Sequence, residues 1–514
     1  MPKIRRALIS VTDKTGVADF ARRLAELSVE IVSTGGTARL LREQGLTVRD
    51  VSELTGFPEM LDGRVKTLHP LIAGGILAIR GNAGHRKAVE EHGIPLIDMV
   101  VVNLYAFEKT AARRDATFED IVENIDIGGP SMIRAAAKNY RDVAVVTDPG
   151  DYDTIAGELA AGEGDLSEES CWRLAQRAFA VTAAYDAAIS GTLSTIDAAG
   201  NRDDSPLPGL LGLAVPQKQL LRYGENPHQS AALFASGDQG IAGARKLHGK
   251  ELSYNNLVDL DAAWSLVCEF ERPAAAIIKH TNPCGCAEQD TQVDAYRRAL
   301  TCDPVSAFGS VIAFNRLVDP ESAGELSRLF VEAIAAPGFT EEAFLTLTRK
   351  KNLRLLEVGE TPSTLVVKSI AGGYLAQTED DLTSRPRDLK IVSERAPTDV
   401  EMKDLEFAWK VTKHVKSNAI VYVRDGQTVG VGAGQMSRVD AARIGAQKAV
   451  LPLQGTVVGS DAFFPFPDGV EEIASHGATA VIQPGGSKRD EEVIAAVNRL
   501  GLAMVFTGLR HFRH

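Results

Sequence analysis

At 514 residues, with 44% hydrophobic and 24% charged side chains, the sequence has the balance of a packed globular protein and exceeds one compact core; about three or four units of roughly 150 residues are expected. The net charge of -12 excludes a face-wide nucleic-acid footprint, since phosphate backbones are gathered by basic surfaces, yet a few local Lys and Arg still suffice for small anions. No run of about eighteen apolar residues occurs and the 5 cysteines are sparse and odd in number, so the expectation is a cytoplasmic protein with no membrane span, no export and no disulfide framework.

The first half alternates strand and helix signals. Ala7-Leu8-Ile9-Ser10-Val11 reads as a strand, Val17, Phe20, Ala21, Leu24 and Leu27 share one helical face, Val29 to Val32 returns as strand, and a turn at Ser33-Thr34-Gly35-Gly36-Thr37 leads into a helix from Ala38. This βαβα order predicts a parallel sheet with helices on its faces, and the unbroken apolar runs at 99–104 and 143–146 predict further buried strands. A long helix over 167–189, capped by Ser167 and carrying Trp172, Leu174, Phe179 and Val181, is expected to pack between units. The breaker-rich stretch 197–216 marks a domain boundary. The remainder, 217–514, has room for two α/β units, with a split near 385 drawn from the Arg385-Pro386-Arg387 and Ala396-Pro397 breaks; no internal repeat is legible.

Two glycine-bearing turns follow strands and open helices: Ser10-Val11-Thr12-Asp13-Lys14-Thr15-Gly16 and Ser33 to Thr37. Free amides at such helix starts, with hydroxyls and one lysine, hold phosphates, although well-capped βα turns look the same. In Gly63-Arg64-Val65-Lys66-Thr67-Leu68-His69-Pro70 two cations flank one residue and point the same way if extended, as an anion requires and as a solvated surface also allows. Asn103-Leu104-Tyr105 ends a strand, and Asp126-Ile127-Gly128-Gly129-Pro130 leads toward Arg134 and Lys138; loops after strand ends are where open α/β sheets take ligands.

With Glu53-Leu54-Thr55-Gly56-Phe57-Pro58-Glu59-Met60 added, these runs make residues 4–150 resemble the inosine monophosphate cyclohydrolase domain of the bifunctional purine biosynthesis family, whose fold is methylglyoxal-synthase-like. The resemblance spans 1–196 as a domain. It implies that Ser10, Thr12, Lys14, Thr34, Gly35, Gly36, Thr37, Arg64, Lys66 and Thr67 surround a nucleotide, and that Lys66, Tyr105, Asp126 and Lys138 assist ring closure. Such a closure, in which a carboxamide nitrogen attacks a formyl carbon, gains from a fixed rotamer, from a cationic Lys66 or phenolic Tyr105 at the developing oxyanion, and from Asp126 as proton acceptor.

In the second half, Leu221-Arg222-Tyr223-Gly224 pairs a cation with an aromatic, suited to a phosphate and a flat base or to a plain surface loop. Next, Ile277-Ile278-Lys279-His280-Thr281-Asn282-Pro283-Cys284-Gly285-Cys286 delivers Lys279 and His280 from a strand into a loop. A zinc reading of His280, Cys284 and Cys286 meets an incomplete match to the deaminase signature, because the cysteines are one residue apart and no Glu lies two after His280. An acid/base pair of Lys279 and His280 is the stronger reading. Asp303 to Gly309 adds Phe308 and a tight turn, and Lys416-Ser417-Asn418 places a carboxamide before a strand. Gly430-Val431-Gly432-Ala433-Gly434-Gln435-Met436-Ser437-Arg438 has the wrong spacing for a dinucleotide fingerprint, so anion binding by the amides, Ser437 and Arg438 is preferred. The aromatics of Phe463-Phe464-Pro465-Phe466 offer faces for a planar ring.

Residues 217–514 resemble the aminoimidazole carboxamide ribonucleotide (AICAR) transformylase domain of the same family, with cytidine-deaminase-like α/β units that lack the zinc site. The resemblance implies Lys279 and His280 as the catalytic pair and Asn418 as orienting the carboxamide. Arg222, Tyr223, Phe308, Gly309, Arg438, Phe464, Phe466, Arg510 and His514 would then line nucleotide or folate. It also implies 10-formyltetrahydrofolate as co-substrate, no tightly bound cofactor, no metal, and a homodimer with transformylase sites shared between subunits. The family ends in Arg-Leu-Phe-His-His, where this chain has Arg510-His511-Phe512-Arg513-His514, leaving His511 and Arg513 without an implied role. The competing reading joins an amino-terminal nucleotide-sensing module to a zinc-dependent deaminase.

Overall fold

The computed structural model describes residues 3–61, 63–113, 115–203, 205, 207–235, 237–361, 365–381 and 389–514. Contacts divide the chain into two units, Met1–Val215 and Pro216–His514.

In the first unit the apolar runs form β1 (Arg6–Val11), β2 (Glu30–Ser33), β3 (Val48–Asp50), β4 (Met99–Asn103) and β5 (Ala144–Val146), all parallel in the order β3-β2-β1-β4-β5. The order reverses between β1 and β4, and a crevice at such a reversal opens at the carboxyl ends of the strands. The long helix spans Glu168–Leu193 with Ser167 accepting from the Ser170 N–H, and it packs on the helix Gly128–Lys138 and on β5 of its own unit. Its buried face differs from the expected aromatic one. Cys171, Leu174, Ala175, Ala178, Thr182 and Tyr185 repeat at helical spacing, whereas Trp172 and Phe179 fall off that stripe, at 49% and 41% exposure, and lean on Tyr140 and Arg134.

The second unit begins with a hairpin, β6 (Gln217–Leu221) and β7 (Ala231–Phe234), beside a twelve-stranded sheet. One half of that sheet holds β8 (Arg245–His248), β9 (Ala274–Lys279), β10 (Asn282–Glu288), β11 (Ser310–Phe314), β12 (Val331–Ala336) and β13 (Arg354–Glu357). After a separate hairpin, β14 (Val366–Ile370) and β15 (Gly373–Gln377), the other half holds β16 (Lys390–Ile391), β17 (Ile420–Arg424), β18 (Gln427–Gly432), β19 (Val457–Ser460), β20 (Ala480–Gln483) and β21 (Ala503–Phe506).

The order β16-β21-β20-β19-β17-β18-β10-β9-β11-β12-β13-β8 is a repeat that the sequence did not reveal. Each half is an antiparallel hairpin (β9–β10, β17–β18), then three strands parallel to one another (β11–β13, β19–β21), closed by an antiparallel edge strand (β8, β16). The halves meet at β10 and β18, paired through Ala287 and Gln427, where the Thr428 hydroxyl accepts from the Cys286 N–H at 2.9 Å and donates to the Cys286 carbonyl at 3.2 Å. The split expected at Arg385-Pro386-Arg387 lies outside the described residues. Among the described residues no helix is long and apolar enough to cross a membrane.

Candidate functional site

In the first unit a cavity of about 790 Å³ lies at the carboxyl edge of β1, β2 and β4. It is lined by Ser10, Thr12, Lys14, Thr34, Gly35, Gly36, Thr37, Arg64, Lys66, Thr67, Tyr105 and Asp126, which includes every site residue expected in this half except Lys138. Lys138 is exposed in the last turn of the helix Gly128–Lys138, whose first residues touch the cavity; ten residues of α-helix put it about 15 Å away along the axis. The structure therefore does not bring it to the other twelve.

Thr34 is the N-cap of the helix Gly35–Glu43, and Gly35 adopts φ 54°, so the amides of the turn open into the cavity. Lys14 donates to the Val11 carbonyl and, at 2.8 Å, to Thr37 Oγ1; burial lowers its pKa. Each cation of the Arg64-Val65-Lys66 run meets a carboxylate: Arg64 pairs with Glu123, and Lys66 Nζ lies 3.0 Å from Glu59. Asp126 sits ahead of the helix Gly128–Lys138 and accepts from the Gly129 N–H at 2.8 Å; burial raises its pKa despite that hydrogen bond. Any side chain at Gly129 would strike it, since a Cβ there would stand 2.5 Å from Asp126 Oδ2.

Asn103 was not expected among the site residues. Its Oδ1 accepts from the Thr12 and Asp13 amides at 2.6 and 2.9 Å, and its Nδ2 donates to the Asp13 carbonyl at 3.1 Å, tying the end of β4 to the turn after β1. A carboxamide that replaces backbone pairing leaves no mark on sequence periodicity.

In the second unit Lys279 and His280 line a cavity of about 300 Å³ with Asn282, Cys284, Asp303 and Gln435, among others. His280 and Thr281 form the two-residue turn between β9 and β10, at φ 52° and 62°. The matching turn of the other half is Asp425-Gly426, at φ 55° and 65°, the residue pair such a turn favours. A β-branched Thr281 in that conformation is strained, and the Thr281 N–H is held by Asp259 Oδ1 at 2.7 Å. One copy of the hairpin thus gives up its comfortable turn to present an imidazole.

Lys279 Nζ donates to the Phe308 carbonyl at 2.7 Å, which brings the Phe308-Gly309 turn against the pair, while the Phe308 ring is exposed and leans on Phe330. Asn282 Nδ2 donates to the His280 carbonyl at 3.1 Å, and its Oδ1 accepts from the Lys416 N–H at 3.0 Å. Cys284 is half-buried and Cys286 buried in β10; burial pushes the Cys284 thiol up to about 12, out of range for a thiolate at neutral pH. Among the described residues no three His, Cys, Asp or Glu side chains are grouped to hold a metal ion.

A second cavity, of about 560 Å³, is lined by Asn418, Arg438, Phe464, Phe466 and Arg510 with Met436, Ser437 and Phe463. The Ser417–Asn418 peptide is cis. Asn418 joins this cavity to the Lys279 cavity: its Nδ2 donates to the Gln435 carbonyl at 2.8 Å, and its Oδ1 accepts from Arg438 Nη2 at 2.7 Å. The remaining face of Arg438 is buried against Asp461 and, at 2.9 Å, Ser460 Oγ, while the Ser437 hydroxyl caps the helix Arg438–Lys448. Arg438 and Ser437, expected to bind an anion, are thus occupied, Arg438 in holding Asn418.

The aromatic segment is only partly available. Phe464 is fully buried with its ring beneath Gly469, because a side chain there fills the core of its half, whereas Phe466 is 46% exposed with Arg489 over its ring. Arg510 stacks on Phe512. Arg222 is exposed over the Tyr223 ring, and neither lines a cavity with Lys279 or Asn418; His514 accepts from Lys416 Nζ through its carbonyl at 2.8 Å.

His511 and Arg513 both have partners. His511 Nδ1 lies 2.6 Å from Asp380 Oδ2, with its ring against Trp409. Arg513 Nη1 lies 3.0 Å from His414 Nδ1, and the Arg513 carbonyl accepts from the Ser417 N–H, one residue from Asn418. His414 Nδ1 must accept from that guanidinium, so Nε2 carries the proton and donates to Glu269 Oε1 at 3.0 Å, where Lys413 also binds at 2.8 Å. Burial lowers the His414 pKa.

The sequence matches the AICARFT/IMPCHase bienzyme family over residues 136–448 and the MGS-like domain family over residues 16–131. It is similar to the bifunctional purine biosynthesis protein PurH of Magnetococcus marinus, 55% identical over 534 residues and covering 100% of each chain. The protein of the same description from Ruegeria pomeroyi is 54% identical over 536 residues, covering 99% of each. The crystal structure of ForH, 36% identical, covers 37% of this chain and 99% of its own, with a TM-score of 0.34.

Proposed function

Since the chain belongs to the AICARFT/IMPCHase bienzyme family and catalyses the last two steps of purine biosynthesis, we propose that Met1–Val215 closes the ring and Pro216–His514 transfers the formyl group. Formyltetrahydrofolate is a substrate of the formyl transfer, which comes first. The observation that carries this division is the first unit's cavity, which gathers helix-start amides, Lys14, Arg64 and Lys66 beside Tyr105 and Asp126.

In ring closure the amides and cations hold the phosphate, and the fixed nucleotide sets its carboxamide nitrogen against the formyl carbon. Lys66 and Tyr105 stabilise the oxyanion, Asp126 takes the nitrogen's proton, and water leaves to give inosine monophosphate. Lys138 would act only if something carried it to the cavity.

In formyl transfer the AICAR amine is a weak nucleophile, its lone pair drawn into the ring. His280 takes its proton as it attacks the formyl carbon, Lys279 stabilises the charge that develops on oxygen, and tetrahydrofolate departs as His280 returns the proton to its nitrogen. Asn418, held by Arg438 and Gln435, orients the substrate carboxamide. A homodimer fits the exposed Ile370, Tyr374 and Leu375 of the β14–β15 hairpin, and a cytoplasmic location fits five cysteines without disulfides.

The test is to supply AICAR and formyltetrahydrofolate and follow tetrahydrofolate and inosine monophosphate separately. Lys66→Ala is expected to lose about 10²-fold in ring closure and keep formyl transfer, whereas His280→Ala is expected to block release of tetrahydrofolate and, with it, any inosine monophosphate made from AICAR. Ring closure within about threefold of wild type in Lys66→Ala would refute the role of Lys66.

A further inference from the structure

A side chain outside the cavity sets the position of Asp126. Tyr185 is nearly buried on the long helix Glu168–Leu193, where its hydroxyl accepts from the Asp126 N–H at 2.8 Å and donates to the Asn124 carbonyl at 3.2 Å. One phenol thereby closes the bend that delivers Asp126 to the cavity. Its ring packs edge-on against Phe107, centroids 6.2 Å apart, in a small apolar cluster with Ile121. Phe107 in turn donates its N–H to the Tyr105 carbonyl at 2.8 Å. The two groups assigned to proton and oxyanion chemistry are therefore braced by the same residue, one through its hydroxyl and the other through its ring.

We infer that Tyr185 is a positioning residue for ring closure, acting through Asp126; this rests on the assignment of Asp126 above. The amides and cations that hold the phosphate lie on the turns after β1 and β2 and on the segment 63–67, while the Tyr185 hydroxyl bonds only the Asp126 amide and the Asn124 carbonyl, so it affects turnover and not nucleotide binding. Without the hydroxyl, the Asp126 amide and Asn124 carbonyl lose their partner and the bend relaxes.

The experiment gives the full-length protein the formylated nucleotide directly and compares wild type, Tyr185→Phe, Asp126→Asn and the double variant. Tyr185→Phe keeps the ring against Phe107. It is expected to lower kcat about tenfold with KM within about twofold, inside the ~10²-fold that an ångström of misplacement costs. In the Asp126→Asn background the same change is expected to matter less than about twofold, because the group it positions has gone. An unchanged kcat in Tyr185→Phe, a raised KM with unchanged kcat, or an equal factor in both backgrounds overturns the inference; the last outcome is what loss of folded protein alone produces. If Asp126→Asn itself leaves kcat unchanged, the reading of Asp126 has failed instead.

Discussion

Replacing Glu269 by Gln removes the anion from a buried cluster. Burial alone would raise the carboxyl's pKa, but the hydrogen bonds from His414 and Lys413 and the Lys413 charge prevail and hold it down at about 2, from an ordinary 4.5. A depressed carboxylate stabilises the fold fully above its unfolded pKa and loses that contribution as pH falls through the folded value, so the window runs from about 4.5 down to 2. The shift corresponds to about 3 kcal/mol. Removing the charge at pH 7 also strands Lys413, whose side chain is 8% exposed, and breaking such a pair costs about 3–5 kcal/mol. Tryptophan fluorescence during denaturant unfolding reads the second unit, because Trp264 and Trp409 are buried there while Trp172 of the first unit is already exposed. The expected result is a second-unit transition about 3 kcal/mol less stable in Glu269→Gln at pH 7, with the gap to wild type narrowing as pH falls below about 4.5. A gap under about 1 kcal/mol at pH 7, or one that stays constant down to pH 3, refutes the reasoning.

Two further outcomes are expected. The acid limb of ring closure, which needs ionised Asp126, should lie above the ordinary aspartate value of 3.8, since burial raises this carboxyl; activity is present above the shifted pKa and falls as pH drops through it, and pH profiles with the formylated nucleotide check this. Gly432→Ala should abolish formyl transfer with loss of the second unit's stability, measured by melting, because its Cβ would stand 1.8 Å from the Ala441 carbonyl oxygen and force the helix Arg438–Lys448 away from β18.

The first cavity was largely legible because parallel strands deliver consecutive residues to one edge. Ser10 to Lys14 and Thr34 to Thr37 are neighbours in sequence and neighbours around the cavity. Lys138 shows the limit: motif proximity to Asp126 carried no information about which end of the helix it occupies. In the second unit the spacing of Gly430 to Gly434 spoke against a dinucleotide fingerprint but did not show why the glycines are there; at Gly432 the cause is the approach of a helix. Asn103, Tyr185 and Asp461 act through backbone atoms or buried partners far along the chain, and Asp461 accepts from the Ala419 N–H and from Arg438. Such pairings have no period. The repeat stayed hidden for a related reason: it lives in strand order and direction, which different apolar residues satisfy equally well.

The two turns at the seam of the large sheet lie at opposite ends of the β10–β18 pair, for Glu288 donates its N–H to the Gly426 carbonyl at the end remote from His280. Two identical chains pairing this way would have had to present the same turn twice. With both halves in one chain no symmetry ties the two turns, so Asp425-Gly426 is a plain bend while His280-Thr281 holds the strained conformation that presents an imidazole. Neither half owns the resulting pocket, whose walls are the start of β10 from one and the end of β18 from the other. The pocket sits where two halves of like strand order meet and their turns differ.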